Sequence, residues 1–111
     1  MSLVLAQKGN GISRNITIYD ADEDAIVPGE NDRVRVRIGR VGEDDKLTIT
    51  SGSPTSNGSS VTKGETNVLR IDASDLDFDP GVYTMFVEYF DNADSQEWKT
   101  VDRQVFVLED T

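Results

Sequence analysis

The chain contains no cysteine and no histidine. Without cysteine there is no disulfide framework, no thiolate nucleophile and no thiolate metal site, so packing and hydrogen bonding alone must hold the fold. Without histidine, the usual proton shuttle near neutral pH and the commonest metal ligand are both missing. Asp, Glu, Lys, Tyr and Ser could still build a catalyst, but no nucleophile–base pair and no phosphate-cradling glycine motif is present. The expectation is a non-enzyme with no cofactor and no assigned metal ligand. Long apolar runs are missing too: no segment approaches the roughly 20 residues of a membrane helix, and residues 1–10 lack the basic start and apolar stretch of a secretion signal. Positive charge is scarce, with 11 Lys and Arg against 21 Asp and Glu and a net charge of −10. Phosphate backbones and anionic lipid would be repelled, so neither nucleic acid nor membrane is an expected partner.

What is present is alternation. Short period-two runs, separated by clusters of Gly, Pro, Asn, Asp or Ser, fill the chain and no 3.6-residue period competes with them, which is the pattern of an antiparallel all-β domain. With 111 residues, the whole of 1–111 is expected to form one domain around one two-layer core. The runs are 3–7, 12–19, 32–40, 46–51, 67–72, 82–90 and 97–108, about seven strands.

The third run is the clearest, since Val34, Val36 and Ile38 alternate with Arg33, Arg35 and Arg37 and must be the buried set. By the same rule Ile16, Ile18, Leu47, Ile49, Leu69, Ile71, Tyr83, Met85, Val87 and Tyr89 point inward, and Leu76 and Phe78 close the core just before the sixth run. In the last run Val101, Val105 and Val107 are taken as buried, which turns Trp98, Phe106 and Leu108 outward. Residues 52–60 carry no large apolar side chain and are expected to form a mobile surface loop.

Two groups of residues could carry a function. Acidic clusters, Asp20, Asp22, Glu23 and Asp24 in one loop and Asp72, Asp75, Asp77 and Asp79 in another, offer oxygen ligands for calcium, but neither has the glycine turn and closing Glu of an EF-hand. Solvated loops of an acidic protein are the simpler account. The second group is an outward face on the third, sixth and seventh runs, combining Arg33, Arg35 and Arg37 with Phe86, Phe90, Trp98 and Phe106. Arginine with aromatics is the composition enriched where protein surfaces bury one another, and stacked guanidiniums would stabilise the patch by themselves. A bulge in either of the last two strands would turn some of these rings into the core, because one extra residue reverses the facing.

The segment Asp79-Pro80-Gly81-Val82-Tyr83-Thr84-Met85 has the spacing of the D-x-G-x-Y-x-C corner of immunoglobulin-type domains, with Met where Cys usually sits. The resulting expectation is an immunoglobulin-like antiparallel β-sandwich. Together with Ile16-Thr17-Ile18-Tyr19-Asp20-Ala21-Asp22-Glu23-Asp24, the alternating stretch Val34–Ile38 and the closing Val105-Phe106-Val107, the chain resembles the small immunoglobulin-like modules of bacteriophage virion proteins of the tail, baseplate and head-decoration type. The resemblance spans nearly the whole chain and rests on pattern; bacterial surface-adhesion modules share much of it. The missing cysteine pair and the absence of Trp on the third run depart from antibody domains. The likeness implies a structural role in the virion, with other virion proteins or further copies of the chain as partners. The alternative is an extracellular adhesion or carbohydrate-binding module with Trp98, Tyr19 or Phe90 as its stacking platform, stabilised by calcium in the Asp loops.

Overall fold

The computed structural model describes residues 3–20, 22–93 and 96–110. The chain is all-β. In order it forms β1 (Leu3–Gln7), β2 (Ile12–Ile16), β3 (Ile18–Tyr19), β4 (Ala25–Ile26), β5 (Arg33–Gly39), β6 (Leu47–Thr50), β7 (Ser60–Thr62), β8 (Asn67–Ile71), a single 3-10 turn (Ala73–Asp75), β9 (Gly81–Phe90) and β10 (Trp98–Glu109). Among the described residues no helix is long and apolar enough to cross a membrane.

A five-stranded sheet has the order β1-β10-β9-β5-β6, a three-stranded sheet the order β2-β8-β7, and β3 pairs only with β4. All pairings are antiparallel except β1 with β10, which run side by side in the same direction with Leu3 opposite Val105 and Gln7 opposite Glu109. The two larger sheets contribute to one core. Val34, Val36, Ile38, Met85, Val87 and Phe106 from the five-stranded sheet meet Ile16, Val61, Leu69 and Ile71 from the three-stranded one, with Leu76 sealed among them. Alternation explains the choice: on β5 and β9 every second side chain is apolar, and apolar surface withdrawn from water is stabilising by about 25 cal/mol per Å2.

In its strands and loops the structure departs from the sequence reading. Residues 12–19 form two strands, because the chain changes partner at Thr17 from β8 to β4, while Ile16 and Ile18 both stay buried. β7 lies in a Ser- and Gly-rich stretch whose only large apolar residue is Val61, too little for a period to show. The segment before it is tethered: Thr55 Oγ1 and Asn57 Nδ2 donate to the Asp75 carboxylate at 2.6 and 2.8 Å, and the buried Ser59 hydroxyl donates to the same group. Burial pushes the Asp75 carboxyl up, but the hydrogen bonds from Ser59, Thr55 and Asn57 outweigh it and hold its pKa below the ordinary value.

At the entry to β9, Tyr83 is buried and its hydroxyl donates to the Asp79 carbonyl oxygen at 2.5 Å. Phe78 packs edge-on to the Tyr83 ring at 5.1 Å and the Arg40 guanidinium lies 4.3 Å above it. Tyr83→Phe is therefore expected to lower unfolding free energy by about 1 kcal/mol in urea titration, the contribution of one such hydrogen bond. Asp75→Ala leaves the buried Ser59 hydroxyl and the half-buried Thr55 hydroxyl without their acceptor and should cost roughly 2–4 kcal/mol in the same assay.

Candidate interaction face

Cross-strand register decides which side chains share the outer surface of the five-stranded sheet. Phe90 lies opposite both Arg33 and Trp98, Glu88 opposite Arg35 and Thr100, and Phe86 opposite Arg37 and Arg103. Side chains directly opposite one another sit on the same face about 5 Å apart, so three adjacent strands stack cations, rings and one carboxylate in rows. Arg33 lies over Phe90 at 4.2 Å and Trp98 at 5.3 Å, Arg35 over Trp98 at 4.1 Å, and Arg37 and Arg103 over Phe86 at 4.8 and 5.7 Å. Phe90 and Trp98 are themselves in tilted contact at 5.5 Å.

Glu88 is the hub of this layer and is only 6% exposed. Its carboxylate accepts from Arg35 Nε at 2.7 Å and from Arg37 Nε and Nη2 at 2.9 and 3.1 Å. Burial raises the pKa of Glu88, but the hydrogen bonds from Arg37 and Arg35, and then their charges, bring it below the ordinary value. Arg37 is held from its other side by both oxygens of Asp45, at 3.2 and 3.0 Å. Asp45 reaches that position across Gly39, where a Cβ would stand 2.9 Å from the carboxylate.

Of the residues expected on this face, Arg33, Arg35, Arg37, Phe86, Phe90 and Trp98 are brought together. Phe106 is not: it is 0% exposed, opposite Tyr83 in the core. The cause is a register shift between Thr100 and Asp102, where Val101 is the extra residue. Before the shift Trp98 and Thr100 point out. After it the facing is reversed, so Phe106 and Leu108 turn in, while Arg103, Val105 and Val107 turn out. The valines expected inside at 105 and 107 are thus on the outer surface, and Arg103 joins the ring stack unforeseen. Glu88 was readable as outward but not as the buried partner of two arginines, because that depends on which strands are neighbours.

The acidic loops are built for their own geometry. Asp20 Oδ1 accepts from the backbone N–H of Asp22 and Asp24, both at 2.9 Å, and Asp72 caps the 3-10 turn through the Ser74 N–H at 3.0 Å. Among the described residues no group of three or more Asp, Glu, His or Cys is placed to hold a metal ion. Ala21 lies outside the described residues. An open cleft of about 840 Å3 lies beside the first of these loops, lined by Tyr19, Asp20, Tyr89, Lys99 and Val101 among others. The hydroxyl of Tyr89, one of the lining residues, donates to Asp32 at 2.5 Å; burial and this carboxylate push the Tyr89 pKa well above its usual value. The strap below, residues 29–32, is fastened by the Lys63 ammonium, which donates to the carbonyl oxygens of Gly29, Glu30 and Asp32 at 2.8, 2.5 and 2.6 Å.

A carboxylate whose folded pKa lies below its unfolded one stabilises the fold above the unfolded value, and that contribution is lost as pH falls through the folded value. Glu88→Gln should cost about 2 kcal/mol near neutral pH, and its deficit relative to the unsubstituted chain should start to shrink as the pH drops below 4.5. Denaturant titrations at neutral and acid pH check this; a deficit independent of pH would contradict the ionised hub.

No protein-family model matches the chain, and a search of curated proteins finds no match.

Proposed function

We propose that the chain is a non-enzymatic structural and interaction module of a bacteriophage virion, an immunoglobulin-like β-sandwich of about seven principal strands that docks to other virion proteins through the outer face of its five-stranded sheet. The observation carrying the reading is the stack of Arg33, Arg35, Arg37 and Arg103 over Phe86, Phe90 and Trp98 on a face that no other element of the described residues covers. A sheet of opposite-pair ion and ring contacts presents rigid rings and guanidiniums with little conformational freedom left to lose on docking, which favours association. The sandwich reading is supported by the Tyr83 corner and by strand order. β5, β9 and β10 are neighbours as the third, sixth and seventh strands of such domains are, and β2, β8 and β7 sit together as the second, fifth and fourth do.

Sugar stacking on Trp98 or Phe90 is the less favoured reading, because Arg35 and Arg33 already cover those rings. Tyr19, at the mouth of the cleft, is the remaining exposed ring for that role.

The test is assembly. With Trp98→Lys or Phe90→Lys in place of the original residue, the amount of the chain that co-sediments with purified virions should fall at least about tenfold, while the circular dichroism spectrum stays unchanged. Undiminished incorporation of both variants would remove this face from the docking role.

A further inference from the structure

The same sheet surface has a second zone. Beyond the ring stack, Leu3 and Leu5 on β1, Val105 and Val107 on β10 and Val82 on β9 lie in adjacent rows, Leu3 beside Val105 and Leu5 beside Val107, which in turn faces Val82. Leu3 is 50% exposed, Leu5 55% and Val82 61%. Both strands are apolar on both sides here: Val4 and Ala6 alternate with Leu3 and Leu5, and Phe106 and Leu108 with Val105 and Val107, the inner members being buried. A continuous apolar run is what a strand covered on both faces shows, whereas a strand with one wet face alternates. In the same sheet β5 and β6 do alternate, with arginines and with threonines. Among the described residues no element supplies that outer cover for β1 and the end of β10.

We propose that this zone is a homodimer interface, covered by the same surface of a second copy of the chain, with β10 crossing its counterpart in the opposite direction. The charge pattern selects both the occupant and the direction. The outward residues of β10 after the register shift read Arg103, Val105, Val107, Glu109. Turned end for end about a twofold axis lying in the interface, perpendicular to the strands and level with Phe106, this series falls on itself: Arg103 meets Glu109, Val105 meets Val107, and Leu3 meets Leu5 of the second copy. A twofold axis along the strands would instead set Arg103 on Arg103 and Glu109 on Glu109. Both side chains are exposed, and among the described residues neither has an ion-pair partner within its own chain. A self-complementary series is the requirement of an isologous contact. It also answers the objection that copies carrying −10 should repel, since the zone itself holds one charge of each sign.

Strand spacing gives the zone roughly 15 Å by 20 Å, or about 300 Å2 per copy. That is below the size of a permanent interface, so dissociation is expected in the range of roughly 10 μM to 1 mM. Arg103 is the one residue shared with the docking reading above; the rings of that face take no part in the interface, and the proposal does not rest on that reading.

Sedimentation equilibrium of the full chain across about 10 μM to 1 mM reads the association directly. The expected result is a mass rising toward twice that of the monomer. Leu5→Lys, at an exposed position, should weaken association at least tenfold without altering the melting curve. Arg103→Glu and Glu109→Arg should each weaken it three- to tenfold, and the double variant R103E/E109R should recover to within about twofold of the original, because the pair is restored with its signs exchanged. Trp98→Lys should leave it unchanged. A chain that stays monomeric throughout the range, a dimer indifferent to Leu5→Lys, a double variant no better than the singles, or a dimer lost with Trp98→Lys would each overturn the proposal.

Discussion

One extra residue in β10 governs what this protein shows to its surroundings. With Val101 inserted between Thr100 and Asp102, the strand changes facing partway along its length. Its first part presents Trp98 to the outer surface; its second part delivers Phe106 and Leu108 to the core and releases Arg103, Val105 and Val107 outward. An unbroken strand would keep Trp98, Phe106 and Leu108 on one face, either exposing the last two or burying the tryptophan. The bulge thus reconciles two demands on one strand, a filled core at one end and ring stacking with β9 and β5 at the other.

The outer surface is then ordered by electrostatics rather than by burial alone. Glu88 is withdrawn from water and would be costly there as a lone charge, yet Arg35 and Arg37 meet it from the neighbouring strand at hydrogen-bond distance. Each of those guanidiniums also lies on a ring, so every cation in the layer has either a carboxylate or a π-face beneath it. The arrangement leaves the arginines little freedom to reorient.

Much of this was legible in the residues. Strict alternation in Val34–Ile38 announced one inner face, the recurrence of Tyr83, Met85 and Val87 another, and the spacing from Asp79 to Tyr83 announced the corner at the entry to β9. What was hidden has a common physical origin. Whether Val105 or Phe106 is inside depends on one inserted residue, and both parities of 105–108 are apolar, so hydrophobicity carries no preference between them. The anchoring of residues 55–59 runs through polar side chains to Asp75, and the seat of Lys63 through carbonyl oxygens; neither leaves a periodic trace. Contacts made by hydrogen bonding across distant loops are silent in a pattern of apolar positions.

The parallel pairing of β1 with β10 has a mechanical corollary. Tension applied at Leu3 and at Glu109 would draw the two strands past each other lengthwise, because the chain leaves the pair in opposite directions at those two points. The ladder between them would be loaded in shear, all of its hydrogen bonds at once, instead of being unzipped singly as in a hairpin pulled at its open end. Forced opening is governed by the unfolding barrier rather than by equilibrium stability, so this short ladder sets the domain's resistance to being stretched.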